Sequence, residues 1–134
     1  MLVKNEILWI RPHILRVLPF VNEMGFFDGN STDGTLETIK EIRANHLHGW
    51  KIILFEGQDP ANLKGAYTEM FNKALTCLST DWAWFLHPDM WVTNPEHIPF
   101  MAQAKAVSLY CHVRSFAGEP AGQLLEIKQG RTNT

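Results

Sequence analysis

Phe26-Phe27-Asp28-Gly29-Asn30-Ser31-Thr32-Asp33-Gly34-Thr35 concentrates chemistry-bearing side chains in one stretch. The two aromatics read as the end of a buried strand. Asp28-Gly29-Asn30 reads as a tight turn, and Ser31 to Thr35 as a cluster of helix N-cap residues. An acidic side chain at a strand tip suits a ribose hydroxyl or a base N–H. The helix start that follows offers free N–H groups and a positive dipole end, which suit phosphate. The same residue types build any strand-to-helix connection, so this stretch alone leaves a purely structural turn open.

His87-Pro88-Asp89, after Trp84-Phe85-Leu86, is the second constellation. A carboxylate at the tip of a buried strand can hold a divalent cation, and the cation can bridge two phosphates. Oxygen ligands and a phosphate-bearing substrate suit Mg²⁺ or Mn²⁺. The alternative is a turn in which Asp89 caps the next segment. Trp91, just past Asp89, is placed to stack on a sugar or simply to pack the sheet edge. His46 and His48 lack a third ligand and read as loop residues, and His13, His97 and His112 read as structural.

These residues need elements to position them. Met1 to Val3 is a short first strand, followed by the polar turn Lys4-Asn5-Glu6. Ile7 to Val21 has a helical pattern, with Ile7, Ile10, Ile14, Leu15 and Leu18 near one face and Pro12 in the first turn. Met24 to Phe27 is the second strand, and Asp33 to Ala44 is a helix with the stripe Leu36, Ile39, Ile42. Trp50 to Phe55 lacks alternation and reads as a parallel strand covered on both faces. Leu63 to Leu78 is a helix with Ala66, Met70, Phe71, Ala74, Leu75 and Leu78 in one stripe. Asp81 to Leu86 reads as the next strand, Ala106 to Val113 as another, and Gln123 to Lys128 as a last short one. The alternation predicts an α/β fold: a Rossmann-like, mostly parallel sheet flanked by helices. Ligands of such sheets bind beyond the carboxyl ends of the strands. Asn5, Asp28, Glu56 and Asp89 fall at or just past those ends and are expected to gather on one edge.

A chain of 134 residues reads as a single domain over 1–134, with a polar tail over 115–134. A net charge of −2 gives no reason to expect nucleic acid as a partner. Cys77 and Cys111 sit in apolar segments, which favours buried free thiols. No apolar run is long enough to span a membrane and no signal peptide is evident, so a cytoplasmic protein is expected. A homo-oligomer stays open, through any apolar sheet face left uncovered.

Lys4-Asn5-Glu6 after one strand, Asp28-Gly29-Asn30-Ser31-Thr32-Asp33-Gly34-Thr35 after the next, and the Trp-Phe-Leu-x-x-Asp strand end together resemble glycosyltransferase family 2. The resemblance covers roughly Met1 to Pro95. It implies the nucleotide-binding half of a GT-A fold and a nucleotide-diphosphate sugar donor. It further implies metal-assisted, inverting transfer of the sugar to an unidentified acceptor hydroxyl. Asp28 would contact the base or ribose, with Asn5 and Asn30 beside it. Asp89 matches the second acid of the family's Asp-x-Asp motif, which binds Mn²⁺ or Mg²⁺ on the diphosphate. His87 stands where the first acid usually is; it would bond ribose or supply a nitrogen ligand. Asn72 resembles the Asn of the family's Arg-Asn-x-Gly helix, although Phe71 stands in the place of the Arg. Family members normally continue well beyond this length and supply a carboxylate base from the later portion. Glu119, in Ala117-Gly118-Glu119-Pro120, is the candidate for that base here. A non-catalytic, truncated GT-A module that binds nucleotide weakly, or acts as a subunit, is the other reading.

Overall fold

Strands β1 (Leu2–Val3), β2 (Met24–Asp28) and β3 (Ile52–Phe55) form a parallel sheet in the order β1-β2-β3. The register pairs Val3 with Asp28 and Phe27 with Phe55. Gly29 N–H donates to Val3 O at 2.8 Å, one step past the β1–β2 ladder. Parallel neighbours need crossover connections. Helix α1 (Ile7–Val17) supplies the first and helix α2 (Thr35–Asn45) the second. The computed structural model describes residues 1–57, 66–103, 110–111 and 127–128. Helices α3 (Ala66–Cys77) and α4 (Ile98–Met101) follow, and β4 (Tyr110–Cys111) pairs antiparallel with β5 (Ile127–Lys128). The rest of the strand expected over 106–113, the rest of the 115–134 tail and Glu119 lie outside the described residues. The expected mixed α/β organisation is present as a small parallel sheet with helices.

The core forms because both crossover helices carry an apolar stripe. On α1, Ile10, His13, Ile14 and Val17 are buried, a spacing that keeps one helical face inward. On α2 the buried set is Thr35, Ile39 and Ile42. These pack with Val3, Met24, Phe26 and Ile52 from the strands. Phe27 points to the other face of β2, as strand alternation requires, where Leu2, Phe55 and Ala74 surround it. Its ring stacks on Phe55 with centroids 4.5 Å apart.

Several sequence expectations change. His13, not Leu15, completes the buried face of α1, and Ile7 and Leu15 are exposed. Pro12 lies inside α1 rather than in its first turn, with its ring on the exposed side. Trp50 is not strand: Gly49–Lys51 is a 3-10 turn, Trp50 is exposed, and Lys51 Nζ lies 5.8 Å from its ring. Only Ile52 of β3 is fully buried, the other three residues being half-buried, and among the described residues β3 is an edge of the sheet. Cys77 is a free thiol but exposed, and Leu75 is exposed as well. On α3 it is Ala74 that packs on Phe27, while Lys73 reaches over the Phe55 ring at 5.6 Å.

The largest departure is at Asp81 to Leu86, which forms no strand. Anchoring by side chains replaces a backbone ladder. Ser79 N–H donates to Glu23 Oε2 at 2.9 Å, just ahead of β2. Leu86 and Val92 then pack on the core, whereas Trp84 and Phe85 stay exposed. The chain thus travels from the amino end of the sheet to its carboxyl end without joining it. No described helix is long and apolar enough to cross a membrane.

Candidate site at the carboxyl edge of the sheet

The β1–α1 loop and the β2–α2 turn are stitched together by side chains. Asn5 N–H donates to Ser31 Oγ at 3.0 Å, and Thr32 N–H returns a bond to Asn5 Oδ1 at 2.8 Å. Glu6 N–H donates to Thr35 Oγ1 at 2.8 Å. Asp28, 1 % exposed at the end of β2, accepts from Ser31 N–H at 3.1 Å through Oδ2. Asn5 and Asn30 both hold positive φ, 56° and 59°, in the left-handed region that asparagine tolerates better than most residues. Gly34 sits at φ 96° as the residue before α2, a conformation suited to glycine.

Asp33 organises this junction. Its Oδ2 accepts from Ile7 N–H at 3.0 Å, the first residue of α1. Its Oδ1 accepts from Thr35 N–H at 3.0 Å and from Thr35 Oγ1 at 2.6 Å, at the start of α2. One carboxylate therefore caps two helices, replacing side-chain caps that neither Glu6 nor Gly34 makes. Burial opposes ionisation of Asp33. The bonds from Thr35 and Ile7 outweigh it and hold the carboxyl below its ordinary value of 3.8. The helix starts that the sequence offered to phosphate thus already carry a negative partner.

Replacing Asp33 with alanine removes both caps. Each helix cap is worth about 1 kcal/mol, so a loss near ~2 kcal/mol is expected at neutral pH. A depressed carboxyl pKa stabilises above the unfolded value and stops doing so as pH falls through the folded one. Urea unfolding at pH 7 and pH 3 should show the gap between wild type and variant closing in acid, since 3.8 is the ordinary value. A gap that is independent of pH would remove Asp33 from this role.

The charge of Asp89 is felt at the same edge. Its charge, after burial and together with Asp33, raises the pKa of Glu6. His87 and Asp89 are exposed, on a turn closed by Met90 N–H to His87 O at 3.0 Å. Asn5, Asp28 and Asp33 are therefore joined through the residues between β2 and α2, Asn5 and Asp28 sharing Ser31 as a partner, and Glu6 beside them feels the charge of Asp89. Glu56 is turned to Lys40, at 2.9 Å. Asn72 is exposed on α3. The sequence pattern did not single out Glu6 as a site residue, and it placed Asp33 among the N-cap residues of α2 without its second role at α1. The signal for Asp33 was the Asp-Gly-Thr spacing, in which an Asp bonds the amide two residues on.

Among the described residues, no group of three or more His, Cys, Asp or Glu side chains is placed to hold a metal ion. Asp89 and His87 alone would be a sparse protein ligand set. Mg²⁺ commonly binds in that way, through one or two carboxylates with the rest from phosphate and water. The acid-rich edge fits such a cation better than it fits a bare phosphate. Comparison with protein-family models, with curated proteins and with solved structures returned no match.

Proposed function

We propose that this edge binds the donor of a glycosyltransferase reaction, a nucleotide-diphosphate sugar, with Mn²⁺ or Mg²⁺ on its diphosphate. In this reading the chain has the nucleotide-binding half of a GT-A-type, Rossmann-like fold. The observation that carries it is the convergence of Asn5, Asp28 and Asp33 at the ends of β1 and β2, with Asp89 charge-coupled to Glu6 beside them. Acidic side chains gathered where the sequence motifs predict a diphosphate repel that diphosphate unless a cation intervenes. Asp89, with His87 alongside, would hold the cation, which when bound supplies Lewis-acid stabilisation of the departing diphosphate. Asp28 and Asn5 would serve the nucleoside end, where a carboxylate suits ribose or base N–H groups. The acceptor hydroxyl needs a general base. Glu119 is that candidate by sequence.

Calorimetry with UDP, GDP, CDP and TDP, each with and without Mn²⁺, tests the proposal. One nucleotide is expected to bind only with the metal, and Asp89→Ala should weaken it at least about tenfold, roughly 1.4 kcal/mol. If no nucleotide binds well-folded wild type, the donor-site proposal fails. Metal-dependent binding without sugar transfer in the presence of acceptors would favour the non-catalytic module.

A further inference from the structure

Met90 to Thr93 is held residue by residue from α1. Arg16 Nε donates to Val92 O at 2.5 Å, and its terminal nitrogen donates to Thr93 O. The same guanidinium lies 5.0 Å from the centre of the Trp91 ring. Val92 is 5 % exposed and anchors the strip in the core. One turn earlier on α1, buried His13 hydrogen-bonds the backbone of Met90. A planar guanidinium can meet two successive carbonyls and an aromatic face at once, which an ammonium cannot.

The strip lies directly after the turn that carries His87 and Asp89, and that turn is closed on Met90 itself. Upstream, residues 82–87 belong to no strand or helix. The turn is therefore held by side chains, with Leu86 packed on the core before it and Val92 buried after it. Helix α1 also begins at Ile7, next to Glu6, the residue whose carboxyl feels Asp89. One rigid helix thus carries the loop facing Asp89 and, nine residues later, the clasp, about 14 Å along its axis.

We infer that Arg16 is a positioning residue: by clasping Trp91, Val92 and Thr93 to α1, it fixes the turn bearing His87 and Asp89 beside the β1–α1 loop. Its importance for ligand binding rests on the donor-site proposal; the placement itself does not.

The Glu6 carboxyl is the ruler that tests the placement. Its titration is followed by NMR in wild type, Asp89→Asn, Arg16→Ala and Arg16→Lys, with circular dichroism to verify folding. Asp89→Asn should lower the Glu6 pKa and so define the contribution of Asp89. Arg16→Ala should reproduce most of that decrease and Arg16→Lys at least half. A general loss of stability leaves Glu6 in a folded protein unmoved, so the readout separates positioning from simple packing. If Arg16→Ala does not fold, Arg16→Lys and Trp91→Leu decide. Folded Arg16 variants that titrate like wild type overturn the inference, and so does an Asp89→Asn variant that leaves Glu6 unchanged. The panel of Mn²⁺ with UDP, GDP, CDP or TDP is then applied to Arg16→Lys, where about tenfold weaker binding is expected. If wild type binds none of the four, the donor-site proposal falls, and the Glu6 titration still decides the clasp.

Discussion

Phe26→Ala is expected to cost about 4 kcal/mol, since replacing a buried Phe with Ala typically costs 3–5. Phe26 is 0 % exposed at the centre of β2, the middle strand, and packs with Ile10, Ile14 and Ile39 from both crossover helices. Deleting its ring removes the apolar contact that joins the helices to the sheet and leaves a cavity that rigid neighbours fill poorly. Stability of ordinary domains is only about 5–15 kcal/mol, so the variant should approach the unfolding threshold at 37 °C. Urea unfolding followed by tryptophan fluorescence measures the loss. Phe26→Leu, which keeps most of the volume, should cost under about 1.5 kcal/mol. Equal and small losses in both would show that the ring is not the keystone of this core. The effect bears on the site because Asp28 lies two residues further on the same strand, with its carboxylate held against Ser31.

Periodic stripes made much of the fold legible. The α2 stripe read from Leu36, Ile39 and Ile42 matches a helix whose Ile39 and Ile42 are buried. The parallel sense of β1, β2 and β3 followed from the strand–helix alternation. The α1 face was misread in part: Ile7 and Leu15 are exposed, and His13, which counts as polar by composition, is 2 % exposed. The strand expected at Asp81 to Leu86 failed for a different reason. An aromatic run shows that a segment buries surface, not how its backbone is paired, and here Leu86 and Val92 anchor a segment without a ladder. The charge of Asp89 is nonetheless felt by Glu6. Asn5 and Asp28 were read correctly as neighbours at one edge. That Asp33 would serve two helices was not legible, because its second partner, Ile7, is distant in sequence and is brought close only by the sheet.

The same misread histidine gives the second large effect. Stability is expected to fall by about 3 kcal/mol between pH 7 and 4 through His13 alone, at 1.36 kcal/mol per pKa unit. Burial first, and then the positive Met1 amino group, push its pKa down from 6.5 to about 4, although the bond to the Met90 backbone opposes them. In that window the unfolded chain takes up a proton that the folded chain refuses, so acid favours unfolding. The stabilisation is complete above the unfolded value and is lost as pH falls through the folded one. Buried Nε2 has no partner among the described residues, so an imidazolium there would hold a donor that none of them receives. The Met1 amino group, itself lowered to about 6, adds a separate loss at higher pH, between 8 and 6. His13→Leu isolates the effect: it keeps the site apolar, surrenders one hydrogen bond at about 1 kcal/mol near neutrality, and cannot take a proton. Urea unfolding at pH 7, 5.5 and 4.5 should give a shallower decline for the variant than for wild type. Parallel declines would mean that His13 is hydrated or already charged in the folded protein.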